Sequence, residues 1–267
     1  MKRTLLLLLA ATLFIFSGCA QKGQPIISDD SASERWQAFV AQSSGPGAYD
    51  VLSGSLRFGP ADDTRRVTYT LWSDLPEAPA SPEYKAAKDR IIRLEIGAGI
   101  GGSVGKMRIA EGGLTLLLPK EGRIYVGSSS DDNLHRLLGL SLPLDVQSLN
   151  DFLAGRLFSA LDEPRPERYE TQEDGRFVYY YQSGNSPAVI ELDVRALPVR
   201  WQKRGGWEMD ITYDEKGLPA KISGSIKGAA GEQRMVLLVK ERLPASSMQG
   251  TSMGLTIPAG FTVYSLD

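Results

Sequence analysis

Alternation of apolar and polar residues dominates this chain, and a period of two is typical of β-strands with one buried face. In RRVTYTLW, for example, Val67, Tyr69 and Leu71 alternate with arginine and threonine. Similar segments, separated by turn residues, recur from residue 49 to the end of the chain and give about eleven strands. The pattern predicts a mainly β-fold with some helix (α+β), in which most strands are antiparallel.

Three segments depart from this alternation and have helical periodicity. In SASERWQAFVAQ, Ser31 and Glu34 fit a capping box, and an aromatic stripe led by Trp36 and Phe39 faces one side. A second segment, from Asn133 to Leu140, is short. The third, 142–158, has an N-cap residue at position 145 and an apolar face that includes Phe152.

An antiparallel sheet of this many strands tends to curl, which leaves a concave apolar face. That face is filled by side chains, covered by helices or occupied by a ligand, and the pattern alone favours an ordinary core. The residues predicted to line this face, or the cavity beneath it, are Leu56, Phe58, Tyr69, Leu71, Leu94, Ile96, Leu116, Leu118, Phe152, Phe177, Tyr179 and Tyr181.

A glycine-rich turn, GAGIGGS, joins the predicted strands IIRLEI and VGKMRI. Its one large apolar side chain, Ile100, lies between Gly99 and Gly101, although a β-branched residue suits a pleated strand better than a flexible turn. Two readings stay open. Either Ile100 folds back under the sheet, or it is held out to contact an apolar surface.

The N-terminus has the form of a bacterial lipoprotein signal. Lys2 and Arg3 precede a short apolar run, and the segment ends FSGC at Cys19, the only cysteine of the chain. We therefore predict a signal peptide at 1–18, a lipidated tether at 19–30 and a single domain at 31–267. Alanine at position 20 indicates sorting to the outer membrane, with the protein at its periplasmic face.

Charge and motif content exclude several classes of function. Removal of Lys2 and Arg3 leaves 28 basic and 32 acidic residues, so no basic surplus favours nucleic acid. The single histidine, His135, lies in a predicted helix, and no nucleophile elbow, HExxH motif, metal-ligand spacing or phosphate loop is present. We expect a protein that is not an enzyme and has no cofactor or metal.

The order of these elements resembles the outer-membrane lipoprotein receptor (LolB) family. The resemblance is carried by the lipobox, the N-terminal helix, GSLRF, the apolar hairpin tip and LGLSLPLDVQSLNDFLAG. The family has a proline between apolar residues, then a helix with a leucine, an aromatic residue and a terminal glycine. Pro143, Leu149, Phe152 and Gly155 occupy these places here, although the family's aromatic residue is typically tryptophan. The resemblance covers about residues 31–160.

The resemblance implies an incomplete antiparallel β-barrel whose helices cap an apolar cavity for the acyl chains of lipoproteins. It implies a periplasmic lipoprotein carrier (LolA-like) as donor, outer-membrane lipids as acceptor, and Ile100 as the residue that touches the bilayer. We expect a monomer. Two alternatives stay open: a tethered envelope-assembly scaffold with a self-filled core, and a carrier of another lipid or glycolipid. The proline-rich loop 75–89 departs from compact members of the family.

Overall fold

The computed structural model describes ten segments of the chain, and the account below concerns these alone. They are residues 29–43, 50–74, 91–98, 102–138, 144–160, 166–180, 187–203, 206–228, 231–244 and 253–266. The signal peptide, Cys19, loop 75–89 and the residues at the tip of the glycine-rich turn (Gly99, Ile100 and Gly101) lie outside the described residues, as does Tyr181.

Three α-helices, one 3-10 turn and fourteen strands make up the described part of the chain. The helices are α1 (Asp29–Ser43), α2 (Asp131–Leu138) and α3 (Val146–Leu153), and the 3-10 turn is Leu157–Ala160. The strands are β1 (Val51–Pro60), β2 (Arg65–Asp74), β3 (Ile91–Gly97), β4 (Ser103–Ala110), β5 (Gly113–Leu118), β6 (Arg123–Ser128), β7 (Arg168–Thr171), β8 (Phe177–Tyr180), β9 (Pro187–Leu192), β10 (Pro198–Lys203), β11 (Glu208–Tyr213), β12 (Pro219–Gly228), β13 (Gly231–Leu243) and β14 (Thr262–Ser265).

All fourteen strands form one sheet that does not close on itself. Its order is β14-β6-β5-β4-β3-β2-β1-β13-β12-β11-β10-β9-β8-β7. Every pairing is antiparallel except that of β14 with β6, which is parallel. The predicted open, mainly antiparallel half-barrel is confirmed, with more strands than the eleven or so expected from the sequence.

The strand register places one side chain of each alternating pair on a common inner face. Leu71 pairs with Leu94, Leu94 with Met107, and Met107 with Leu116, so these four form a row across β2 to β5. Leu71, Met107 and Leu116 are buried and Leu94 packs against them. Because the side-chain period of a strand is two, this row fixes the inward direction for the whole of each strand.

The other half of the sheet continues the same face. Tyr179 pairs with Ile190, Ile190 with Trp201, and Trp201 with Met209. All four side chains are at least 98 % buried and belong to the same apolar cluster as the β2–β5 row. The inner face is thus one continuous apolar surface.

Two hairpin turns at one end of this half of the sheet each contain an aspartate that accepts hydrogen bonds from the turn backbone. The Asp193 carboxylate accepts hydrogen bonds from the backbone N–H groups of residues 195 and 197, and the Asp214 carboxylate does the same for residues 216 and 218. Each turn then requires a residue in the left-handed region, where Gly217 has φ 76° and Ala196 has φ 61°. Glycine adopts this conformation without strain, whereas alanine does not.

The three predicted helices are present, but their bounds differ from the predicted ones: α2 is Asp131–Leu138 rather than the predicted 133–140, and α3 is Val146–Leu153 rather than the predicted 142–158. The Asp145 side chain caps α3 by accepting from the backbone N–H groups of residues 147 and 148. Helix α1, however, begins at Asp29, so Ser31 lies inside it and the predicted capping box at that residue is wrong. Among the described helices, none combines the length and the apolar character that crossing a membrane requires.

Candidate functional site

The inner face of the sheet contains every described residue of the predicted cavity that comes from a strand. Six of the predicted residues are buried in the apolar cluster: Tyr69, Leu71, Leu116, Phe152, Phe177 and Tyr179. Leu56, Leu94 and Leu118 are partly buried and pack against that cluster. Phe58 and Ile96 are half-buried towards one end of the face.

Helix α1 and the 3-10 turn cover this face through aromatic side chains. The Trp36 ring lies 5.2 Å from that of Phe39 and 5.0 Å from that of Tyr179, measured between centroids. Phe158 contributes edge contacts to both, at 6.4 Å from Trp36 and 6.0 Å from Phe39. Such aromatic pairs add about 0.5–1.5 kcal/mol each beyond their buried area. The contact between α1 and the sheet is therefore mainly apolar.

Long-range hydrogen bonds to backbone carbonyls position α1 on the sheet. The Tyr179 hydroxyl donates to the Ala32 carbonyl at 2.8 Å, in a buried setting. From the helix, Gln42 Nε2 donates to the Ala196 carbonyl at 2.6 Å and Arg35 Nη1 to the Asp193 carbonyl at 3.4 Å. The last two bonds reach the β9–β10 turn, so they hold the helix at the end of the sheet where Asp193 caps that turn.

Helix α3 packs over the centre of the same face. The Phe152 ring contacts Trp201 edge-on at 4.8 Å. At the end of the helix, Arg242 Nε donates to the Leu153 carbonyl at 3.3 Å while its Nη1 donates to Asp214 at 3.1 Å. Because Arg242 belongs to β13, it ties the C-terminus of α3 to two strands at once and offsets the negative end of the helix dipole.

A buried ion pair links Arg156, which follows α3, back to Asp151 within that helix. Both Nε and Nη2 of Arg156 donate to one oxygen of Asp151, at 3.0 and 2.8 Å. The two side chains are 5 % and 9 % exposed. A buried pair of this kind is costly to break because either partner alone would be an uncompensated charge.

The inner-face side chains beneath α1 are buried by the covering elements. Two clefts stand out in the described part of the chain, and α1 lines neither of them. One of about 330 Å³ is lined by Asp214, Glu215, Lys216, Leu218 and Arg242 at the end of α3. The other, of about 240 Å³, lies at the base of the glycine-rich turn, where Tyr69, Ile96 and Ser103 contribute to its wall. A ligand therefore reaches the inner face beneath α1 only if the covering side chains move.

The polar atoms on the inner face are few. The Tyr69 hydroxyl donates to the Leu238 carbonyl at 3.2 Å, at the bulge where β1 meets β13, and burial raises the pKa of Tyr69 above its usual value. The indole N–H groups of Trp201 and Trp207 are buried and have no hydrogen-bond partner among the described residues. The face is thus chemically suited to hydrocarbon rather than to a charged ligand.

Several inner-face residues were not singled out by sequence reasoning. They come from the second half of the sheet and include Ile190, Trp201, Met209, Ile211, Ile222, Met235 and Leu237. The signal was present, since WEMDITY alternates apolar and polar residues throughout. The described segments contain no group of three or more His, Cys, Asp or Glu side chains that could hold a metal ion.

Solved structures with the same kind of fold were found by superposition. A DUF1329 family protein from Desulfovibrio piger superposes with a TM-score of 0.55 and 11 % identity, over 80 % of this chain and 92 % of that one. A LolA superfamily protein from Nitrosomonas europaea superposes with a TM-score of 0.50 and 14 % identity, over 79 % of this chain and 96 % of that one. The fold is LolA-like. At these identities the likeness concerns the fold alone, and neither a protein-family model nor a curated protein sequence matches the chain.

Proposed function

We propose that this protein is a lipid-anchored acceptor of acylated lipoproteins, which holds their acyl chains against the inner face of the sheet and helps to insert them into the outer membrane. The observation that carries the proposal is the continuous apolar inner face beneath helix α1. Helix α1 contacts that face through Trp36 and Phe39, and its long-range hydrogen bonds involve the side chains of Tyr179, Gln42 and Arg35.

Exchange of one apolar contact for another makes such a step feasible without an energy source. Burial of an acyl chain gains about 0.8 kcal/mol per methylene group. Displacing α1 exposes the aromatic side chains around Trp36, but an incoming chain covers the sheet side of that contact again. Transfer then follows the affinities of the successive sites for hydrocarbon, from a soluble periplasmic carrier to this protein and on to the bilayer.

The anchor and the glycine-rich turn complete the proposal. A lipid on Cys19 would hold the domain at the periplasmic face of the outer membrane, with residues 19–30 as tether. Ile100, flanked by Gly99 and Gly101, would contact the bilayer during release. These residues lie outside the described segments, so their part in the proposal rests on the sequence. We propose no catalytic step.

A second function is favoured by one specific observation. The chain's own side chains occupy the inner face beneath α1, where the Trp36 ring contacts those of Phe39, Phe158 and Tyr179. A tethered scaffold for envelope assembly would need no more than such a self-filled core. In that case α1 is a permanent part of the core and no acyl chain ever replaces it.

Photo-crosslinking in cells separates the two functions. A photoreactive phenylalanine analogue is placed at Phe158, under α1, or at the matched control Tyr180, whose hydroxyl contacts Glu170 on the opposite face. Cells are labelled with radioactive palmitate and irradiated. Lipoprotein acceptance predicts labelled adducts at position 158 and none at position 180. Equal or absent labelling at both positions would support the scaffold.

A further inference from the structure

One end of the sheet carries basic side chains that the fold itself does not use. Arg57 and Arg66 are directly opposite each other in the β1–β2 ladder, and both are exposed. Neither makes an ion pair or a side-chain hydrogen bond with any described residue, although Asp62 and Asp63 lie in the turn between the two strands. Like charges directly opposite in an antiparallel pair are destabilising. The pair therefore destabilises the domain, and no described contact within the domain compensates for it.

Two further cations belong to the same end. Arg65 is the first residue of β2 and pairs with Phe58, so it lies on the opposite face from Arg66; it is exposed and likewise without an ion pair in the described segments. Lys120, in the β5–β6 turn, is exposed and places its Nζ 3.6 Å from the position that a Cβ on Gly102 would occupy. We call Arg57, Arg65, Arg66 and Lys120 the basic rim. With Asp62 and Asp63 as the nearby unpaired acids, the rim retains a positive surplus.

The register fixes this rim beside the glycine-rich turn. Thr68 pairs with Gly97, the last residue of β3, so Arg66 lies two residues beyond the end of that strand and level with the turn. Val104, near the start of β4 at the other side of this turn, is 38 % exposed. Cations next to an exposed apolar side chain match a bilayer surface, where phosphate groups lie just outside the hydrocarbon.

We propose that the basic rim is a docking surface for the phosphate groups of anionic phospholipids, which orients the anchored domain with its glycine-rich turn towards the bilayer. The proposal rests on the membrane location in the proposed function and adds the lipid class and the residues. A negative net charge of the whole chain does not oppose it, because attraction to a charged surface acts locally and falls off within a Debye length of about 10 Å. An acidic protein partner is the competing occupant.

The test uses the full chain incorporated into vesicles through its own anchor. A fluorophore on Ala61→Cys, an exposed position in the β1–β2 turn, reports contact with lipids that carry a nitroxide headgroup. Vesicles contain phosphatidylcholine with or without phosphatidylglycerol. We expect quenching that requires phosphatidylglycerol and weakens with salt. In R57Q/R66Q the ratio of docked to undocked protein should fall about 25-fold, since each cation near an anionic surface contributes about a 5-fold factor.

Matched controls keep the result specific. R168Q/R195Q removes two exposed arginines that are ion-paired with Glu170 and Asp193, and it should leave quenching unchanged. The melting temperature of R57Q/R66Q should not fall, because the substitution relieves a repulsion. Quenching independent of phosphatidylglycerol, or unchanged in R57Q/R66Q, would overturn the proposal and leave the rim to an acidic protein. Crosslinking at position 158 should be unaffected, so failure of docking and failure of cargo binding are distinguishable.

Discussion

Tyr179 and Ala32 join the floor and the cover of the apolar face. The phenol of Tyr179, on β8, donates a 2.8 Å hydrogen bond to the Ala32 carbonyl in α1, and the two residues are 147 positions apart in the chain. Both residues are fully buried or nearly so. The other contacts between this strand and α1 include the ring contact of Tyr179 with Trp36 and the Arg35 guanidinium, which lies over the Phe177 ring at 5.7 Å. The hydrogen bond adds a directional tie between the two layers at this point.

We predict that Tyr179→Phe loosens α1 without disrupting the inner face. Loss of the hydrogen bond should lower the free energy of unfolding by about 1 kcal/mol. It should also increase deuterium exchange of the amides in 29–43, because the helix loses a bond to the sheet. The ring contact with Trp36 stays, so the inner face should not be disrupted. Tyr180→Phe is the control, because its hydroxyl contacts Glu170 at an exposed site. Equal exchange in both variants would show that the bond does not restrain the helix.

The ion pair between Asp151 and Arg156 should dominate the stability of the α3 region. Arg156→Met leaves a carboxylate that is 9 % exposed without its charged partner, so we predict a loss of about 3–5 kcal/mol in chemical denaturation. The double variant D151L/R156L should lose less, because no buried charge is left. Arg195→Met, which removes an exposed arginine paired with Asp193, should change stability little. A similar loss for Arg195→Met would contradict this account.

The β4–β5 turn contains a strained residue whose replacement should stabilise the protein. Glu111 has φ 51° and is followed by Gly112 with φ 73°, a geometry in which asparagine followed by glycine is preferred. Because Glu111 is exposed, Glu111→Asn should raise the free energy of unfolding by up to about 1 kcal/mol. Glu121→Asn, at a turn position with negative φ, is the control and should bring no gain. A destabilised Glu111→Asn variant would be inconsistent with strain at this residue.

Acid should weaken the β3–β4 pair through Glu95. Burial acts to raise the pKa of this carboxyl, but hydrogen bonds and charges from Arg93 and Lys106 outweigh it and hold the pKa below its usual value. A lowered pKa means that the contribution to stability is present above the ordinary glutamate pKa of about 4.3 and is lost as pH falls through the folded-state value. Glu95→Gln should therefore be less stable than the parent at neutral pH. The difference should shrink in acid, and a difference constant with pH would refute the assignment.

The alternating strands could be predicted because one face of each is buried and the other is not. The row of Leu71, Leu94 and Leu116 follows directly from this contrast. Where the contrast fails, prediction fails with it. In LTLLLP the outer-face residue Leu117 is 4 % exposed and its ladder partner Ile124 is fully buried, so apolar residues lie on both faces and the alternation is lost.

Strand count and chain order depend on information that is not local. Strand β7, RYET, has little apolar content because it is an edge strand with mostly exposed residues. Strand β14 pairs in parallel with β6 although about 135 residues separate them, and no local pattern specifies that partner. Arg242 is another example. An arginine in a strand pattern suggests a solvent-facing position, yet here it holds the Leu153 carbonyl of α3.

The central claim is that an acyl chain takes the place of α1 on the inner face, and hydrogen–deuterium exchange of the full chain tests it most directly. An acylated lipoprotein peptide is compared with the same peptide lacking its acyl chains. The account predicts faster exchange across 29–43 and retained protection of β8 to β11, with the acylated peptide only. Unchanged protection of α1 at saturating acylated peptide would contradict it.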